Sequence, residues 1–130
     1  MESGNQKKIL VADSEFHIIQ VLAIKFRKNG FNVFTAQNGR DALELTNKNQ
    51  PDIIVTDIQM PILSGIKFVE ELRANKQTAN IPVIMLSARG FTMEDKRKQQ
   101  LGISVCISKP FSPRELLQTV NEVLDPAVAV

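Results

Sequence analysis

Six residues of this 130-residue chain carry side chains suited to handling a phosphoryl group: Asp13, Ser14 and Glu15 in one run, then Asp57, Ser87 and Lys109 far apart. Two carboxylates close together can hold a hard divalent cation, and Mg²⁺ takes one or two of them, completing its shell with waters and phosphate oxygens. An ammonium supplies a compact positive charge and a hydroxyl a hydrogen bond, both suited to phosphoryl oxygens. An ionised aspartate can attack phosphorus directly, giving an acyl phosphate, while nearby cations offset the charge that would otherwise repel the donor. All of this requires residues scattered along most of the chain to converge.

The elements that would gather them are legible as short apolar runs rich in β-branched residues: 9–12, 33–36, 53–56, 83–86 and 105–107. The first, third and fourth are apolar almost without alternation, as strands covered on both faces of a parallel sheet should be. Asp13-Ser14-Glu15 follows the first run, Asp57 the third, Ser87 the fourth and Lys109 the fifth. Between the runs lie segments of helical length. Residues 16–29 end at Gly30, which readily takes a left-handed cap, and residues 40–49 follow the turn pair Asn38-Gly39. Residues 65–75 carry Ile66, Val69 and Leu72 on one stripe, and residues 93–101 end at Gly102. The last helix has Ser112 as N-cap, Pro113 at its first position and Glu115 three residues after the cap, with Leu116, Leu117, Val120, Val123 and Leu124 marking its buried face. Strand and helix alternate five times, which predicts an α/β fold with right-handed crossovers and a doubly wound parallel sheet. Ligands of such sheets collect outside the carboxyl ends of the strands, where the strand order reverses.

Composition narrows the remaining options. With 43% hydrophobic residues, 16 Lys+Arg against 14 Asp+Glu and a formal charge of +2, the chain suits one globular domain spanning 1–130. The pI near 8.8 reflects a two-charge excess, too weak to argue for nucleic acid or an anionic membrane. No apolar run approaches membrane-spanning length and residues 1–6 are not those of a secretory signal, so a cytoplasmic location is expected. The lone Cys106 forms no internal disulfide.

The ordered pieces Ile9-Leu10-Val11-Ala12-Asp13, Asp52 through Pro61 with Gly65, Ile84-Met85-Leu86-Ser87-Ala88 and Lys109-Pro110-Phe111 resemble a response-regulator receiver domain of two-component signalling over residues 8–124. The resemblance implies a flavodoxin-like (βα)5 sheet with strand order 2-1-3-4-5. It implies that Asp57 accepts a phosphoryl group from a histidine kinase or histidine phosphotransfer protein. It further implies that Asp13, Asp57 and the Gln59 carbonyl hold Mg²⁺, that Lys109 pairs with the carboxylate or phosphoryl oxygen, and that Ser87 bonds the phosphoryl group after transfer. The output would be altered contact with a downstream effector protein.

Two positions depart from that pattern. Ser14 stands where a second acidic residue is usual, which removes a negative charge from the metal site; Glu15 substitutes only if the backbone stays extended, since residues two apart on a strand share a face. Cys106 stands where an aromatic ring usually swings inward, and reads instead as a small buried hydrophobe. These departures motivate a rival reading, a degenerate receiver that binds protein without being phosphorylated. A phosphohydrolase would want aspartate at Glu15, and a flavin carrier a phosphate loop that Asp13-Ser14-Glu15-Phe16 would repel. The remaining signals read as structure: His17 as a solvent-facing helix start, Lys96-Arg97-Lys98 with Arg89 as a solvated face, Phe16, Phe26, Phe31 and Phe34 as core, and residues 127–130 as a tail.

Overall fold

The computed structural model describes residues 6–88 and 93–125. Its strands are β1 (Lys8–Ala12), β2 (Asn32–Ala36), β3 (Ile53–Asp57), β4 (Val83–Ser87) and β5 (Ile103–Ser108), alternating with helices α1 (Phe16–Lys28), α2 (Gly39–Asn49), α3 (Gly65–Ala74), α4 (Asp95–Leu101) and α5 (Pro113–Leu124). The strands form one sheet in the order β2-β1-β3-β4-β5, every neighbouring pair parallel. This is the expected flavodoxin-like (βα)5 topology, and the order reverses between β1 and β3.

Successive strand residues point to opposite faces, so each apolar run feeds two cores at once. Ile9, Val11, Ile53, Val55, Ile84 and Leu86 pack with Leu22, Phe26, Leu116 and Val120 under α1 and α5. Leu10, Ala12, Ile54, Val83 and Met85 pack with Phe68, Val69 and Leu72 under α3. Full burial of one such side chain stabilises the fold by about 1.5–3 kcal/mol. This two-sided demand explains why β1, β3 and β4 lack alternation while the edge strand β5 is only partly buried.

Local signals start and stop the helices. Asn38, Ser64 and Ser112 each accept a hydrogen bond from the backbone N–H three residues on, capping α2, α3 and α5. Gly102 closes α4 at φ 65°. Four expectations are corrected in detail. Phe16 is exposed rather than core, because it opens α1 on the solvent side; Phe26 and Phe31 are buried and meet edge to face, and Phe34 is partly buried. Helix α4 begins at Asp95 rather than Met93, whose side chain packs into the core instead. Strand β5 begins at Ile103, since the register slips between Val83/Ile84 and their partners Ile103 and Val105, leaving Ser104 as the extra residue. Cys106 is only partly buried, packed against the α3-side core. Arg89 and residues 126–130 lie outside the described residues.

Two contacts set the height of the site's floor. A Cβ on Gly65 would lie 2.0 Å from the Asp57 carbonyl oxygen, so only glycine lets α3 start against the end of β3. The Gly65 N–H donates to Ile58 O at 2.7 Å across the same closure. Farther away, the Arg73 guanidinium donates to the carbonyls of Leu101, Thr78, Ala79, Ile81 and Gly102, tying the end of α3 to the entry of β4 and the exit of α4.

Candidate functional site

Four strands deliver the predicted residues to one edge. Asp13 follows β1, its N–H donating to Ala36 O at 3.1 Å. Asp57 ends β3 opposite Leu86, and Ser87 ends β4 opposite Ser108. The Lys109 N–H then donates to Ser87 O at 2.8 Å, which places the lysine against the end of β4. A parallel sheet puts all these carboxyl ends on the same side, so the convergence follows from topology alone.

The Lys109 ammonium is the centre of the cluster. Its Nζ lies 2.9 Å from Asp13 Oδ2, 3.0 Å from Glu15 Oε2 and 3.5 Å from Asp57 Oδ2. Asp13 is fully buried, Asp57 nearly so, and Glu15 about half exposed. Asp13 Oδ1 accepts from the Glu15 N–H at 2.8 Å, while the Gln59 N–H reaches Asp57 Oδ1 at 3.4 Å. Burial alone would push the Lys109 ammonium down, yet the carboxylates of Asp13 and Glu15, with Asp57 beyond, outweigh it and hold the group above its ordinary value. The lysine therefore stays charged through the neutral range.

Three carboxylates facing one ammonium leave the cluster short of positive charge. Burial first, and the Asp13 charge second, raise the Asp57 carboxyl above its ordinary value, against the opposing pull of Lys109 and the Gln59 N–H. Asp13 Oδ2 is buried with no aligned hydrogen-bond donor despite its ion pair with Lys109. A buried carboxylate oxygen held only by an ammonium, beside a second carboxylate, is a donor set that a hard cation fits, and Mg²⁺ needs no more than two. Among the described residues no group of three His, Cys, Asp or Glu forms an all-protein cage.

A carboxyl whose value rises on folding binds its proton more tightly in the native chain than in the unfolded one. Ionised Asp57 therefore weakens the native state at neutral pH. Asp57→Asn is expected to be more stable than wild type in magnesium-free neutral buffer. The gap should close as pH falls through the folded value and vanish below the ordinary 3.8. Urea unfolding at stepped pH measures it, and a wild type at least as stable at neutral pH would contradict the assignment of strain to Asp57.

Ser87 is buried and its hydroxyl donates to Ile107 O at 3.4 Å. Gln59 and Ser14 are exposed, as is His17. Arg97 is not merely solvated, because it pairs with Glu70 of α3. The site residue that sequence reasoning placed differently is Glu15, expected at best near a metal and found on Lys109. Its signal was its position, two residues after Asp13 and just before a helix. Beside the cluster runs a groove of about 680 Å³ between α1 and α5, lined by Glu15, Lys109, Ile18, Val21, Pro110 and Phe111 among others.

Residues 9–121 match the response regulator receiver domain family. The alkaline phosphatase synthesis transcriptional regulatory protein PhoP of Bacillus subtilis is 36% identical over 118 residues, covering 91% of this chain and 48% of that protein. The chain spans about half the length of the curated relatives it matches. Among solved structures, the chemotaxis response regulator CheY4 of Vibrio cholerae superposes with a TM-score of 0.84 at 30% identity, over 92% of this chain and 99% of that one. The receiver domain of a Pseudomonas aeruginosa sensor histidine kinase, described with a magnesium ion coordinated in its active site cleft, shares the fold with a TM-score of 0.81 at 24% identity, over 92% of this chain and 98% of that one.

Proposed function

The chain belongs to the response regulator receiver domain family of two-component signalling, and from that premise we propose that Asp57 accepts a phosphoryl group from a histidine kinase or histidine phosphotransfer protein. The observation that carries this reading is the single ammonium of Lys109 shared between Asp13 and Asp57 at the carboxyl edge of the sheet. The family is one of signalling regulators, not an enzyme class.

An Asp57 carboxylate oxygen forms the new bond to phosphorus as the donor's phosphorus–nitrogen bond breaks, the electron pair leaving with the imidazole nitrogen, which takes up a proton. Lys109 meets the charge gathering on the phosphoryl oxygens, and Ser87 supplies a hydrogen bond once transfer is complete. Magnesium held by Asp13, Asp57 and the Gln59 carbonyl would supply further positive charge to those oxygens. The unit spanning residues 8–124 then signals through altered contacts with a downstream effector protein, in the cytoplasm, without itself touching nucleic acid or membrane. Among the described residues, no helix is long and apolar enough to cross a membrane.

Ser14 and Cys106 favour a second reading, a receiver that binds protein without being phosphorylated. Incubation with a small phosphodonor and magnesium separates the two. Intact mass is expected to show one added phosphoryl group, and no gain would support the binding module. The missing charge at Ser14 makes a separate prediction. Ser14→Asp should tighten magnesium binding about tenfold, since ligand charge sets much of the affinity of such sites. Calorimetric titration measures it, and an unchanged dissociation constant would remove Ser14 as the weak point.

A further inference from the structure

We propose that Glu15 is a positioning residue that holds the Lys109 ammonium on the Asp13 side of the cluster until a phosphoryl group on Asp57 draws it across. This rests on the reading of Asp57 as the acceptor. Three features of the structure carry it.

The first is the order of distances. Nζ sits 2.9 Å and 3.0 Å from Asp13 and Glu15 and 3.5 Å from Asp57, so the lysine pairs with all three but lies closest to the two that do not react. The second is the local geometry of Glu15. It occupies the N-cap position of α1 in an extended conformation, with φ −93° and ψ 111°, yet its side chain makes no capping hydrogen bond. The carboxylate is turned to Lys109 instead, and the donation of its N–H to Asp13 Oδ1 fixes the backbone that aims it. The third is exposure. Asp13 is fully buried whereas Glu15 is about half exposed, so of the two closer partners Glu15 is the one water can replace at least cost.

An ammonium has three N–H bonds, and here three carboxylates surround it. A phosphoryl group arriving on Asp57 brings further anionic oxygens that need the same donor. Asp13 cannot release the lysine without leaving a buried charge unpaired, so the exchange falls to Glu15. Glu15 thus restrains the lysine in the resting site and sets part of the cost of phosphorylation. Such a role differs from metal ligation, which would consume the same carboxylate.

Glu15→Asp and Glu15→Gln separate these roles in the full chain. Aspartate keeps the charge but is one methylene too short to keep the contact, whereas glutamine keeps the length and loses the charge. With isotopically labelled lysine in metal-free buffer, NMR signals of the Lys109 Cε and Nζ are expected to leave their wild-type positions in both variants, as the ammonium stays on Asp13 and shifts toward Asp57. Both should also phosphorylate about two- to fivefold faster with a small phosphodonor, the range an exposed ion pair spans. Magnesium affinity of Glu15→Asp should match wild type. Lys109 signals in Glu15→Asp that stay at their wild-type positions would overturn the proposal, as would unchanged or slower phosphorylation, or a lost magnesium affinity in that variant. If wild type takes no phosphoryl group at all, the acceptor reading fails and the exchange falls with it, while unchanged lysine signals in Glu15→Asp would overturn the holding role of Glu15 even if Asp57 is phosphorylated.

Discussion

Lys109→Met is expected to slow phosphorylation of Asp57 by about 10²- to 10³-fold, the range seen when one preorganised electrostatic group is removed from a reacting site. Methionine keeps most of the aliphatic stem, so the change isolates the ammonium. Around that ammonium stand Asp13, Glu15 and Asp57, and without it three carboxylates face one another with no other cation among the described residues paired to them. The incoming donor is itself anionic and would meet that repulsion undiminished. The same variant should lose about 3 kcal/mol of stability in magnesium-free buffer, because the fully buried Asp13 is left without its partner. Initial rates by intact mass and unfolding by urea report the two effects independently. A slowing of less than about threefold would show that the lysine is a structural counter-ion only, since the electrostatic role requires far more.

The sheet was legible because the central strands are buried on both faces, which forces continuous runs such as Ile53-Ile54-Val55 and Ile84-Met85-Leu86 that few other elements produce. The helix starts were legible where a side chain caps them, as at Ser112, and the convergence of Asp13, Asp57, Ser87 and Lys109 followed from the parallel order. What escaped depends on contacts between distant parts of the chain. Ser104 lies outside the apolar run 105–107 in sequence, but it belongs to β5 as the extra residue of a register slip that only the pairing with β4 defines. Phe16 reads as core from its type, whereas its place at the first turn of α1 leaves it in solvent. Arg73 gives no local sign of the five carbonyls it gathers. Glu15 meets Lys109 across 94 residues of chain, and no periodicity encodes such a pair.

Total loss is expected at only one position. Asp13 lies near the same lysine, but it is fully buried and already engaged by the Glu15 N–H. Asp52 sits at the opposite end of β3, accepting from the Lys8 N–H at 2.8 Å. Glu15 is exposed and paired with the lysine that a phosphoryl group would need. Asp57 combines a strand-end position, slight exposure and the burial that raises its carboxyl, the marks of a carboxylate placed for chemistry. An aspartyl phosphate is an acyl phosphate, and borohydride reduces that group to an alcohol, converting the aspartate to homoserine. The direct measurement is therefore reduction of the wild-type chain after exposure to a small phosphodonor and magnesium, followed by peptide mapping. The account predicts homoserine at position 57 in wild type and no phosphoryl gain in Asp57→Asn. Homoserine at position 13, 5-hydroxynorvaline from reduced Glu15, or an undiminished gain in Asp57→Asn, would contradict it.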